Sequence, residues 1–267
     1  MYQTHWELRE TPFRTCLDPR FFYQSPAHEE ALARLHFLVD QHRRLGVLLG
    51  EPGSGKSLLL EVFAAETRRQ GRAVAKVNLL GLTPAELLWE LAASFGLNLA
   101  PAEPPASLWR CLLDRLAEHR YEQRATVVLL DDADQAASDV LAGLRRLASL
   151  DYSPESRLTI VLAGCPKRIR RLGRSLLEMA ELRIDVAPWE ASDTEDYVRR
   201  SLARAGRDRP VFDEPAVQRL HELTHGIPRR VSQLADLALL AGAGRQLDHV
   251  DAEVVETVFH ELGVIEV

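Results

Sequence analysis

Eight consecutive residues, Gly50-Glu51-Pro52-Gly53-Ser54-Gly55-Lys56-Ser57, have the types and spacing of a loop that binds a polyphosphate. Gly53 and Gly55 lack a Cβ, so the backbone can turn successive N–H groups toward phosphate oxygens. Lys56 brings a point charge for the terminal phosphates and Ser57 a hydroxyl for Mg²⁺. The apolar run Val47-Leu48-Leu49 before the loop reads as a buried strand. Leu58 and the apolar residues after it read as a helix whose positive end faces the anion. That strand–loop–helix context is what the motif requires. The pattern predicts binding of a nucleoside triphosphate through Gly50, Glu51, Pro52, Gly53, Ser54, Gly55, Lys56, Ser57 and Leu58.

A second constellation is Val127-Val128-Leu129-Leu130-Asp131-Asp132. A buried strand that ends in acids presents them at the carboxyl edge of the sheet, where open α/β folds bind ligands. Asp131 is then placed to hold Mg²⁺ with Ser57, directly or through water, and Asp132 to orient or activate the attacking water. A competing signal is His221-Glu222-Leu223-Thr224-His225, which matches a zinc-protease helix. Gly226-Ile227-Pro228 ends that helix at once, and the segment reads better as the last turn of a lid helix.

The elements around these residues alternate. Ala73–Asn78, Thr126–Leu130, Leu158–Ala163 and Leu182–Val186 read as further strands. Helices are expected from the Thr83–Glu86 capping box onward, over Ser107–Arg120, over Ala136–Leu150 and over the basic stretch Pro166–Leu177. Pro101–Pro105 reads as a proline-rich loop. Such alternation implies an α/β fold, a five-stranded parallel sheet with helices on both faces. After Pro188 only helical signals remain: a capping box at Ser192-Asp193-Thr194-Glu195, then starts at Asp213, Pro228 and Asp251. The expected division is residues 1–45 as a segment and leading helix packing on the core, 46–189 as the nucleotide-binding core, and 190–267 as an all-helical lid.

With 267 residues, 46% hydrophobic and 27% charged, the composition is that of a water-soluble globular protein, and no run is long enough to span a membrane. Three cysteines without metal-binding spacing fit a reducing, cytoplasmic setting. A net charge of −6 argues against broad nucleic-acid binding. The arginines at 168, 170, 171 and 174 leave two readings open, solvated helix faces or a subunit or DNA contact.

The order of phosphate loop, acid-ending strand, Ala-Gly-Cys-Pro after the next strand and Gly226-Ile227-Pro228-Arg229 at a lid helix resembles an AAA+ P-loop ATPase. Trp6-Glu7-Leu8, Pro12-Phe13, Asp18-Pro19-Arg20-Phe21-Phe22-Tyr23 and Ser25–Leu32 narrow this resemblance to the ExeA (general secretion pathway protein A) family and related transposition ATPases of the TniB and TnsC type. The resemblance implies ATP and Mg²⁺ as cofactors and a homo-oligomeric ATPase. It also implies base contacts from Phe22 and Tyr23, unless these are core aromatics, a lid sensor at Arg229 and a polar sensor at the position of Cys165.

Three residues depart from that pattern. Asp132 stands where the family has Glu, and Cys165, a weak donor, where Gln is common. The stretch just before the fifth strand, Leu177-Glu178-Met179-Ala180-Glu181, holds no arginine, so Arg170, Arg171, Arg174 and Arg183 all remain open as the finger of a neighbouring subunit. Three functions follow as expectations. One is an ATPase that assembles with nucleotide and remodels or switches an unnamed macromolecular partner. The others are an ATP-dependent DNA-loading adaptor and a nucleotide-binding regulator with little turnover.

Overall fold

A computed structural model describes residues 2–100, 102–150 and 156–263. Pro101 of the expected proline-rich loop lies outside them. Five strands form one sheet: β1 Leu45–Gly50, β2 Ala73–Asn78, β3 Thr126–Asp131, β4 Leu158–Gly164 and β5 Leu182–Val186. Their order is β2-β3-β4-β1-β5 and every pairing is parallel. All residues of β1 and β3 are buried. Since successive side chains point to opposite faces, both faces of the sheet are covered at these two strands, while edge strand β5 leaves Arg183 and Asp185 exposed. Helix Lys56–Arg69 packs against β1, β2 and β3, and helix Pro84–Ser94 against β2.

The chain divides into two compact units. One holds residues 28–52 and 56–186, the sheet and its helices; the other holds residues up to Ala27, the short stretch Gly53–Gly55 and the chain from Ala187 onward. Of the expected 1–45 segment, residues 28–45 fall with the sheet and those up to Ala27 with the C-terminal helices. Trp6, Leu8 and Phe13 are buried in one cluster with Tyr197, Leu220, Leu234 and Leu239 of the C-terminal helices. Trp6 also donates its indole N–H to the Leu239 carbonyl at 2.8 Å. Large aromatics with a satisfied polar handle dominate such packing, but their irregular spacing gives no periodic signal.

Helix Pro84–Ser94 begins as its sequence predicts. Thr83 Oγ1 accepts from the Glu86 N–H at 3.3 Å, and the Glu86 carboxylate accepts from the Thr83 N–H at 2.8 Å. Elsewhere the boundaries move. The box expected at Ser192 is formed instead by Glu190 and Asp193 at the start of helix Ala191–Arg204. The basic helix expected over Pro166–Leu177 is a 3-10 segment, Pro166–Leu172, and a short helix, Arg174–Glu178, broken at Gly173 with φ +81°. The helix expected over Ala136–Leu150 spans Ser138–Ala148, after a 3-10 turn Ala133–Gln135. The C-terminal chain carries helices Ala191–Arg204, Glu214–Thr224, Pro228–Gly244 and Ala252–Gly263.

One buried histidine gives the sheet unit a pH dependence. His119, in helix Pro105–Tyr121, is 3.0 Å through Nδ1 from Thr126 Oγ1 and packs edge-on against Phe95. Burial, helped by Arg124 and Arg115, pushes its pKa below the ordinary 6.5. Below pH 6.5 the unfolded chain therefore takes up a proton that the folded chain resists, so stability falls as pH drops. Urea midpoints at pH 7.5 and pH 5 should show a smaller difference in His119→Gln than in the wild type. An undiminished difference would assign the dependence to other groups.

Candidate nucleotide site

The sheet order brings the site together. β3, β4 and β1 are neighbours, so Asp131 and Asp132, Cys165, and Gly50 lie at the carboxyl ends of three adjacent parallel strands. Parallel strands carry these residues to one edge, and only the strand order makes them neighbours.

Gly50, Glu51 and Pro52 leave β1, and Lys56, Ser57 and Leu58 open the following helix. Gly53 and Gly55 have φ of +87° and +92°, the left-handed region that their types allow. Lys56 is 8% exposed, and its Nζ donates to the Gly50 carbonyl at 2.8 Å and the Glu51 carbonyl at 3.1 Å. Burial pushes its pKa down, while the carboxylates of Asp131, Asp132 and Asp134 oppose that shift. A buried ammonium folded onto its own loop is a cation waiting for an anion, because phosphate oxygens would replace weaker carbonyl acceptors. Glu51 also pairs with Lys167 at 3.4 Å. Ser54 is buried.

Asp131 is 2% exposed and accepts the N–H of Asp132 on Oδ1 at 3.0 Å. Asp132 sits in the left-handed region, φ +51° and ψ +35°, which Asp enters more readily than most residues, although Glu7, Gln123 and Gln246 also have φ near +50°. Asp132 Oδ2 accepts from Asn78 Nδ2 at 2.8 Å and its Oδ1 from Gln135 Nε2 at 3.1 Å. Asn78, the last residue of β2, pairs in register with Asp131 and also accepts the Leu80 N–H on Oδ1 at 2.9 Å. Neither Asn78 nor Gln135 is visible as functional in the sequence. The one available signal was that a strand-end amide beside an acid-ending strand can reach it. Cys165 is 6% exposed and caps the 3-10 segment that carries Arg168.

The donor set suits a magnesium nucleotide. Ser57 and Asp131 supply hard oxygens, and no group of three or more His, Cys, Asp or Glu that could hold a metal occurs among the described residues. Mg²⁺ takes one or two protein oxygens and fills its shell with phosphate and water. The zinc motif does not form a site: helix Glu214–Thr224 stops before His225, which turns left-handed at φ +52°, and His221 Nδ1 is 3.0 Å from Thr194 Oγ1.

The remaining sequence candidates belong to the other unit. Tyr23 packs on Trp189 and Tyr197 at 5.3 and 5.7 Å, with the Arg200 guanidinium 5.5 Å from its ring. Phe22 closes the 3-10 turn Pro19–Phe21 and is half-buried. Arg229 is exposed in the first turn of helix Pro228–Gly244, and its N–H donates to the Gly53 carbonyl at 3.1 Å. A Cβ on Gly53 would stand 3.0 Å from Arg229 Cβ, which adds close approach to φ as a reason for glycine there. Of the finger candidates, Arg183 is paired with Asp185 and Arg174 with Glu178.

A family model described as AAA domain matches residues 39–172, half of the chain. The chain belongs to the AAA domain family. This AAA+ protein is 33% identical over 257 residues to the general secretion pathway protein A of Aeromonas hydrophila, a match covering 92% of this chain and 45% of that protein. Its fold is similar to the Aeropyrum pernix Orc1 protein in complex with DNA, with a TM-score of 0.69 and 18% identity, covering 96% of this chain and 69% of that one. It is likewise similar to Drosophila ORC bound to DNA, with a TM-score of 0.73 and 18% identity, covering 98% of this chain and 65% of that one. The chain spans less than two thirds of the length of the curated relatives it matches. No helix among the described residues is long and apolar enough to cross a membrane.

Proposed function

We propose that this AAA+ protein binds ATP with Mg²⁺, hydrolyses it, and assembles into a homo-oligomer with nucleotide to remodel or switch a macromolecular partner. The observation that carries the reading is the buried Lys56 ammonium held by the Gly50 and Glu51 carbonyls, at the sheet edge where β3 ends in Asp131. When bound, the magnesium nucleotide supplies the scissile phosphoanhydride and the metal charge that offsets it. Ser57 and Asp131 hold the metal, the glycine loop and Lys56 hold the phosphates, and Asp132 orients water. Arg229 reports on the terminal phosphate, while Phe22 and Tyr23 stand beside the base. Three free cysteines suit a reducing cytoplasmic setting.

One observation favours a second reading, a regulator with little turnover. Both oxygens of Asp132 accept from amides, which ties the direction of the carboxylate to Asn78 and Gln135 and leaves one lone pair on each oxygen for water. Mass measured with ATP, ADP and a slowly hydrolysed analogue, alongside phosphate release, separates the two. The enzyme assembles with the triphosphate and disassembles as phosphate appears; the regulator assembles and stays assembled. Mass independent of nucleotide would end both. A partner that is DNA would add binding to duplex at low salt, with ATP only, that weakens steeply as salt rises.

A further inference from the structure

The loops after β3 and β4 share a charged pair for which the proposed reaction has no use so far. Asp134 lies in the turn after β3, is 1% exposed, and accepts from Arg168 Nε on Oδ2 at 2.6 Å. Its Oδ1 is buried and has no hydrogen-bond partner among the described residues. Burying a carboxylate with half its acceptor capacity unused costs several kcal/mol in order of magnitude, so a purely structural pair is a poor return. Gly164, which ends β4, makes the close fit possible: a Cβ there would come within 2.7 Å of Asp134 Oδ1.

Arg168 is gripped along one edge. Its side chain is 41% exposed, and among the described residues its guanidinium has no hydrogen-bond partner besides Asp134, so the fork of Nη groups is available. The loop that carries it lies beside the phosphate loop: Lys167, the residue before Arg168, pairs with Glu51 at 3.4 Å, and Asp134, which holds Arg168, is in the turn that follows Asp131 and Asp132. Cys165, three residues earlier on the same loop, offers only a buried S–H, a weak donor for an anion.

We propose that Arg168, held in place by Asp134, is the residue through which the β4 loop contacts the terminal phosphoryl group of a bound nucleoside triphosphate, in the role that Cys165 cannot fill. A planar guanidinium anchored through Nε still presents two parallel donors, the geometry that suits phosphate oxygens. Asp134 is the positioning residue. The inference rests on the nucleotide-binding reading above and adds to it the group that distinguishes a triphosphate from a diphosphate.

The test compares affinities for adenylyl-imidodiphosphate and for ADP, each with Mg²⁺, in the wild type and in Arg168→Ala, Arg168→Lys, Asp134→Asn, Cys165→Ala and Lys56→Ala, with melting temperatures recorded for all. The wild type should prefer the triphosphate analogue. Arg168→Ala should lose about tenfold or more of that preference, with ADP affinity within about twofold, as expected for one charge-assisted contact. Arg168→Lys keeps a cation beside Asp134, so it folds, yet lacks the fork and should lose most of the preference. Asp134→Asn should lose part of it, and Cys165→Ala almost none. A merely structural pair would move the melting temperature and leave the ratio alone. An unchanged ratio in both Arg168 variants, a ratio removed by Cys165→Ala, or no preference in the wild type overturns the assignment. Wild-type protein that binds neither nucleotide brings down the nucleotide reading itself. Binding of both, lost in Lys56→Ala but with the ratio kept in Arg168→Ala, brings down only this inference.

Discussion

Lys56→Ala should bind ATP at least about a thousandfold more weakly than the wild type while melting at nearly the same temperature. A unit charge about 4 Å from a phosphate charge is worth roughly 4 kcal/mol at an effective dielectric near 20, and 1.4 kcal/mol is tenfold in affinity. Lys56 is 8% exposed, so little water is present to screen the interaction. The variant also relieves a cost: burial lowers the pKa of this lysine, so its charged form is held at a desolvation penalty. The Gly50 and Glu51 carbonyls lose a donor, yet both sit at a loop that solvent can enter once the side chain is shortened. Titration with a fluorescent ATP analogue in Mg²⁺ decides the matter. Affinity within fivefold of wild type would mean that the phosphates go elsewhere.

Asp132→Asn should keep ATP affinity within about threefold and lower turnover by about 10² to 10⁴, the range associated with one general base. Asparagine is isosteric and tolerates the left-handed backbone at φ +51°, so the turn should survive. What changes is the chemistry: an amide accepts on one atom only, so one of the bonds from Asn78 and Gln135 is lost, and no carboxylate remains to take a proton from water. Phosphate release under saturating nucleotide is the measurement. Turnover equal to wild type would remove Asp132 from the reaction. Asp132→Glu is a useful companion, because a gain in turnover there would show that reach limited the natural residue and would favour the regulator.

Local order accounts for what could be read from the chain alone. The largely apolar runs at Val47–Leu49, Thr126–Leu130 and Leu158–Ala163 matched strands buried on both faces, while Ala73–Asn78 and the alternating Leu182–Val186 matched β2 and β5 at the sheet edges, where Asn78, Arg183 and Asp185 are exposed. The glycine loop and the Thr83 capping box were legible for a similar reason: backbone conformation and neighbouring side chains specify them within a few residues. Misplaced features were those decided by competition at a distance. Gly173 breaks the basic stretch that composition reads as one helix, and Glu190 takes the cap two residues before Ser192, with the Asp193 carboxylate accepting its N–H.

The sequence by itself therefore determined the α/β class, the phosphate loop and the acid pair, because each is written in contiguous residues whose backbone preferences and charges act locally. Tertiary structure alone decided the strand order that places Asp131, Cys165 and Gly50 at neighbouring strand ends, the packing of Trp6 and Phe13 among C-terminal helices, and the grip of Asn78 on Asp132 and of Asp134 on Arg168. Those contacts join residues 34 to more than 200 positions apart, and burial and hydrogen bonding choose such partners by free energy summed over the whole fold, not by spacing along the chain.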